Sequence, residues 1–365
     1  MDPKTFWCGR PRGAVLFVPL LVLAAQGCGG GSSGQEDAGL GDAALADVQD
    51  AGPNDVGSTD RGETDAALPS PTLPEELPNP LPQGTPNVTV VSFNTGLAPT
   101  LRVPSQRLPL ILNAVKQVGA DVICLNEVWT VYTSPWAFAQ EVATVYPYAF
   151  WHERGTTPMG SGLLILSKHP LYRGRALAYE AQELSDYFEK SLIAADVVTE
   201  NAYFHVMCTH LAAPTDETGP PLRKAQLDEA KAFAAANGYL SGVTFFLGDF
   251  NAGPDPVQDC TPTTDPPCRL PDVESYDYAL QTWTDPNHDW EQCTWCRSIA
   301  MPFQISATFS QDPSQRIDHC LYRGLAAENF KSRSVVFDEK ISISAGSITI
   351  EHLSDHIGVK CVFGP

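Results

Sequence analysis

Six short runs of this 365-residue chain close on polar residues that strands do not otherwise favour. Asn94 ends Val90-Val91-Ser92-Phe93-Asn94, Glu127 ends the run from Asp121, and His210 ends Val206-Met207-Cys208-Thr209-His210. Asp249 and Asn251 stand in Gly248-Asp249-Phe250-Asn251, Asp318 in Arg316-Ile317-Asp318-His319, and Asp355 with His356 in Ser354-Asp355-His356. Singly, such residues are turn formers. Together they supply two carboxamides, four carboxylates and two imidazoles. Carboxylates on this scale are hard oxygen ligands, suited to Mg2+ with Mn2+ as the alternative. Imidazoles and further carboxylates supply acids and bases.

These groups need elements to hold them. From Asn87 onward, short apolar runs alternate with stretches of helical spacing. Strands are expected at 88–93, 121–125, 162–167, 192–198, 203–209 and 243–247. After a long Pro/Cys/Asp-rich excursion at 252–303, strands are expected again at 305–309, 317–322, 331–337 and 357–363. Helices are expected at 107–118, 135–145 and 221–236. Mixed elements over residues 87–365 suit one large domain with helices outside packed sheets.

The net charge is −20, but it is unevenly spread, because residues 34–80 hold eleven acids and one base. This balance counts against holding nucleic acid, or anionic lipid, mainly through basic surface. It does not count against a metal enzyme. Residues 1–28 read as an export signal: Lys4, Arg10 and Arg12, then the apolar run Ala14–Ala25, then Gln26-Gly27-Cys28. That ending resembles a bacterial lipobox, with Cys28 as the lipidated residue. Residues 29–86 read as an acidic, proline-rich tether with too few large apolar groups to form a core. The expected location is extracytoplasmic, either anchored to a membrane or secreted.

The ordered set Asn94, Glu127, His210, Asp249-Asn251, Asp318 and Ser354–His356 resembles the endonuclease/exonuclease/phosphatase superfamily. The resemblance covers about residues 88–363. It implies an α/β (α+β) fold, a four-layer α/β sandwich of two packed mixed β-sheets flanked by helices. It implies Mg2+-dependent hydrolysis of a phosphodiester. Glu127 would be the principal metal ligand, with Asn94 and Asp355 beside it. Asp249 would orient or deprotonate water. Asn251 and His210 would donate to the phosphoryl oxygens. His356 would be the second acid–base group, with Asp318 fixing its tautomer. Asn126 stands where members often have Gln, and His319 where Tyr is common.

Three features resemble the neutral sphingomyelinase branch. Cys208–Ala213 precedes Arg223 and Gln226, and Arg223 is expected to bind substrate. Asp186–Ser191 precedes a strand as an Asn-Lys-Gly segment does there. A Thr-Trp pair occurs twice, as Thr282-Trp283 and Thr294-Trp295. A lipid headgroup is therefore favoured over nucleic acid, and a monomer is expected. A deoxyribonuclease-like endonuclease and a non-catalytic surface binding module remain the alternatives. The excursion's aromatic residues would either meet a lipid interface or build a local core. Export permits disulfides. Cys260, Cys268, Cys293 and Cys296 are expected to pair, most simply as Cys260–Cys268 and Cys293–Cys296, with a zinc site as a minor alternative. Cys124, Cys208, Cys320 and Cys361 are expected as core residues.

Overall fold

Side-chain alternation along the strands sorts them into two sheets that share an interior. The computed structural model describes residues 70–129, 131–152, 157, 159–183, 188–254, 272–305 and 312–365. The export signal with Cys28, the tether through residue 69, Cys260, Cys268 and residues 306–309 of the strand expected at 305–309 lie outside these residues.

The elements run β1 (Val88–Asn94), α1 (Pro104–Gln117), β2 (Val122–Asn126), α2 (Pro135–Val142), β3 (Tyr148–Phe150), β4 (Leu164–Ser167) and β5 (Leu171–Ala178). They continue β6 (Ser191–Val198), β7 (Tyr203–His210), α3 (Gly219–Ala236), β8 (Thr244–Asp249), α4 (Val273–Leu280) and β9 (Asp318–Arg323). Last come β10 (Phe330–Val336), β11 (Ile343–Ala345), β12 (Ile348–Ile350) and β13 (Gly358–Phe363). Apart from the separate β11-β12 pair, one sheet has the order β10-β13-β1-β2-β4-β3 and the other β5-β6-β7-β8-β9. Both are mixed: β1–β2 and β7–β8 are parallel pairs, and their other pairings are antiparallel. A parallel pair needs a crossover, and α1 and α3 supply them.

Val88, Val90, Val122 and Cys124 meet Val206, Cys208, Phe245 and Leu247 in the interior between the sheets. The alternate residues Val91, Phe93, Ile123 and Leu125 pack outward against Ile111 and Val115 of α1 and Phe138 of α2. Met207 and Phe246 pack outward against Leu227 and Ala230 of α3 and Ala279 of α4. Helix, sheet, sheet and helix make the four layers.

Apart from the strand expected at 305–309, the expected strands and helices lie within a few residues of these elements. β3, β5, β11, β12 and α4 were not expected. β5 carries Arg173, Gly174 and Arg175 where apolar residues would announce a strand, and its pairing with β6 shifts register there. The proline-rich end of the segment read as a tether is fastened to the domain from Ser70 onward. Leu73 packs on the interior cluster, Pro74 accepts a hydrogen bond from the Arg173 amide, and Glu75 pairs with Arg175 at 2.6 Å.

Tyr276, Trp283, Trp295 and Phe303 of the excursion are buried but divide among three clusters: Tyr276 and Trp283 pack with Leu227 and Phe246, Phe303 with Leu101 and Trp129, and Trp295 with Ile317. Asp285 pins this segment to the sheets. Its carboxylate meets Arg333 of β10 at 2.5 Å and Arg316 at 3.2 Å, and all three are buried.

Cys293–Cys296 is bonded, as expected. Cys124 and Cys208 are core residues, but they are also bonded to each other, joining β2 of one sheet to β7 of the other. Cys320 and Cys361 are buried free thiols.

Replacing Cys124 and Cys208 by alanine is expected to cost about 2–4 kcal/mol in urea unfolding, because the bond closes a loop of sequence separation 84. Burial alone would raise the Asp285 carboxyl, but Arg333 and Arg316 hold it well below the usual range. Its contribution is therefore complete above the unfolded value and lost as pH falls. Asp285→Asn should cost about 3–5 kcal/mol at neutral pH, since it strands two buried guanidiniums. In thermal melts, its deficit against wild type should hold steady down to about pH 5 and shrink only below about pH 4.

Candidate active site

The parity that builds the interior also aims the chemistry. Asn94 shares the inward face of β1 with Val88 and Val90, His210 that of β7 with Val206 and Cys208, and Asp249 that of β8 with Phe245 and Leu247. β7 and β8 run parallel in the register that sets His210 beside Asp249, and Asp318 of β9 faces Asp249 from the other side. β1 and β2 likewise end together at Asn94 and Asn126, one residue before Glu127. Asp355 and His356 arrive on the segment leading into β13, which pairs with β1. Strand ends of both sheets thus meet at one edge.

Local backbone geometry serves that meeting. Glu127 and Asn251 hold the left-handed region, at φ 59° and φ 48°. Non-glycine residues are sparse there, and such conformations collect at functional sites. Gly96 is also left-handed, and a Cβ there would lie 2.4 Å from Oδ1 of Asp355.

Asn94 is the junction. Its Nδ2 donates to Glu127 Oε1 at 3.1 Å and to Asp249 Oδ2 at 3.0 Å. Its Oδ1 accepts from the Gly96 amide at 3.0 Å. Asn94 was expected beside the metal as a ligand; its amide orients two carboxylates, and its Oδ1, bonded once to Gly96, keeps a second lone pair. Asp249 also accepts from the Asn251 amide at 2.9 Å. Nε2 of His210 stands 3.6 Å from Asp249 Oδ2, and Nε2 of His356 stands 3.8 Å from it. Nδ1 of His356 bonds Asp318 Oδ2 at 2.8 Å. Thr294 Oγ accepts from the amides of Ile317 and Asp318 at 2.9 and 3.0 Å. Trp295 lines the cavity, whereas Trp283 packs on Phe246 in the outer core. Of the two Thr-Trp pairs, the second therefore belongs to the site. Asn126 Nδ2 donates to the Thr209 carbonyl at 2.7 Å, tying β2 to β7.

The charges divide the labour. Burial would lower His356, but Asp318, Asp249 and Asp355 outweigh it and push the imidazole up to about 10. Burial would raise Asp249, but the charge of His356 and the hydrogen bond from Asn94 hold it below its ordinary value. His210 is pushed well down by burial and by the charge of Lys190, so it is a neutral N–H donor. Burial and then the Asp355 charge push Glu127 up to about 7.

Glu127 and Asp355 have no ion pair among the described residues. Two carboxylates at the floor of a cavity, with the charge of Asp355 raising the cost of ionising Glu127, fit a hard divalent cation. Asp249, Asp318 and His356 also place one ligand atom each within 4.8 Å of one another. In that trio Nδ1 of His356 is bonded to Asp318 Oδ2.

These groups open onto a cavity of about 520 Å3. Its floor is Glu127, Asp249, Asp355, His210 and His356, and one wall is apolar: Ala98, Leu101, Trp129, Met159 and Phe188. Trp129 and Phe188 stack at 5.3 Å between centroids. Lys190, 3% exposed and 3.7 Å from Glu183, is a wall residue absent from the expected site set, although it lies in the Asp186–Ser191 segment noted above. Arg223 was expected to bind substrate. Its guanidinium is instead buried against Asp272 at 2.6 Å and the Ala212 and Pro214 carbonyls, and it does not line this cavity. His319, also buried, bonds the Ala252 carbonyl.

Residues 91–356 match the Endonuclease/Exonuclease/phosphatase family, and the chain belongs to it. Its members are hydrolases acting on phosphodiesters. Among solved structures, sphingomyelinase C from Streptomyces griseocarneus is 20% identical, with TM-score 0.58, covering 77% of this chain and 100% of its own. Beta toxin from Staphylococcus aureus is 15% identical, with TM-score 0.61, covering 76% and 100%. A double variant of that toxin, with bound magnesium ions, is 15% identical, with TM-score 0.56 and the same coverage. At these identities the likeness establishes the fold. No curated protein matches the chain.

Asp318→Asn removes the largest charge that raises His356. The imidazolium should then be lost at lower pH. The alkaline limb of the rate profile should move down by about one pH unit or more, measured as kcat against pH on a nitrophenyl phosphodiester.

Proposed function

We propose that this protein is a divalent-cation-dependent phosphodiesterase that cleaves lipid headgroups in the manner of a phospholipase C, with sphingomyelin-like diesters as its class of substrate. One observation carries the reading: the cavity joins an acid–base floor to an apolar wall, and among the described residues Lys190 is the one Lys or Arg that lines it. A nucleic-acid strand presents successive phosphates and calls for several cations. A lipid diester presents one phosphate and an apolar leaving group, which suits one lysine and the Trp129–Phe188 wall.

Glu127 and Asp355 would hold the cation, with Mg2+ favoured over Mn2+, and Asn94 would fix Glu127. The bound ion would neutralise phosphoryl oxygens as a Lewis acid. Asp249, ionised and oriented by Asn94 and Asn251, would take the proton of the attacking water. His356, protonated and held by Asp318, would give a proton to the leaving oxygen. His210 and Asn251 would donate to the phosphoryl oxygens as charge builds on them. This assigns base and acid from the charge states in the free enzyme. The Cys124–Cys208 bond suits an oxidising compartment, which supports export through residues 1–28, with lipidation at Cys28 as the finer reading. Residues 29–69 would then space the domain from its membrane.

Sphingomyelin vesicles and supercoiled plasmid, offered side by side with Mg2+, test the reading. Phosphocholine release should exceed plasmid nicking, stop with a chelator and fall about 1000-fold in Glu127→Gln. Faster nicking would transfer the proposal to the nuclease class. No turnover of any phosphodiester would leave a binding module.

A further inference from the structure

The first turn of α1 carries a charge that the reaction does not use. Arg107 is 0% exposed and, among the described residues, has no carboxylate partner within ion-pair distance. Its N–H groups go to backbone carbonyls. Nη1 donates to Thr95 O at 3.1 Å and to Leu353 O at 2.7 Å, Nη2 donates to Gly96 O, and Nε reaches Arg102 O at 3.3 Å. Phe303 covers the guanidinium face at 5.0 Å. Burying a charge without a counter-ion is costly, so such a charge persists where its hydrogen bonds hold something in place.

What they hold is specific. Thr95 and Gly96 directly follow Asn94, and Leu353 lies two residues before Asp355. These are two separate loops, one leaving β1 and one entering β13. Ser354 Oγ adds a cross-tie to the Asn94 carbonyl at 2.8 Å. We infer that Arg107 is a positioning residue for the metal site: its planar fork clamps the Asn94–Gly96 loop to the Leu353–Asp355 loop and sets the spacing of the cation's ligands. The inference rests on the proposed metal site at Glu127 and Asp355. Carbonyl clamping leaves both carboxylates free for the ion, which an Arg–carboxylate pair at this place would not. A lysine keeps the charge but cannot span four carbonyls on two loops, because its ammonium is a point donor rather than a fork.

The test is Mn2+ binding to the full chain, read as loss of the free-ion paramagnetic resonance signal. Arg107→Lys should weaken binding at least tenfold. At saturating metal its KM for a nitrophenyl diester should stay within threefold of wild type. Asp285→Asn, destabilised where the excursion meets β10, should bind Mn2+ like wild type and so separates positioning from general loss of stability. Should Arg107→Lys not fold, Phe303→Leu, which uncovers the guanidinium, should weaken binding about threefold. Wild-type affinity in whichever variant folds, or an equal loss in Asp285→Asn, overturns the clamp. Absence of Mn2+ binding by wild type would instead overturn the metal site itself.

Discussion

One carboxamide joins the halves of this molecule at the place where they do chemistry. Nδ2 of Asn94, from one sheet, divides its two hydrogens between Glu127 of the same sheet and Asp249 of the other. Two carboxylates brought this close repel, and a shared donor is a neutral way to keep them at a fixed separation. The demand propagates backward. β1 must end level with β2 and opposite β8, so the sheets must pack in one register, and the crossover helices must return each parallel strand to its neighbour. Fold and site therefore obey the same constraint.

The site is also asymmetric about Asp249. On one side lie Glu127 and Asp355, which are negative groups without a cation of their own among the described residues. On the other lie His356 and Asp318, which hold a proton between them. One carboxylate standing between a cation-seeking half and a proton-bearing half is poised differently from either. This division lets four acids share one pocket without all being driven neutral by mutual repulsion.

Much of this was legible because strands with clean apolar alternation announce both their course and their parity. Asn94, His210 and Asp249 could be picked out as polar residues on an inward face at a strand end. What stayed hidden did so for physical reasons. β5 hides because two arginines and a glycine interrupt its pattern at a bulge. The Cys124–Cys208 bond is invisible in a sequence where both read as ordinary small core residues 84 positions apart. Arg107 looks like any helix-surface cation, since nothing local says that one of its carbonyl partners, Leu353, comes from a loop 246 residues away. Arg223 misled for the converse reason: it follows the right segment, but a buried aspartate claims it.

The covalent link between the sheets has a mechanical meaning. Cys124 stands two residues before Asn126, and Cys208 two before His210, so the bond sits just behind the catalytic edge. Face-packed sheets resist separation well but resist shear only through side-chain interlock. A rivet at that depth turns the edge into the fixed end of the sandwich, and slip can accumulate only towards the opposite rim. Substrate entry and product escape must then be accommodated by the loops around the cavity, while the catalytic groups beneath them keep station.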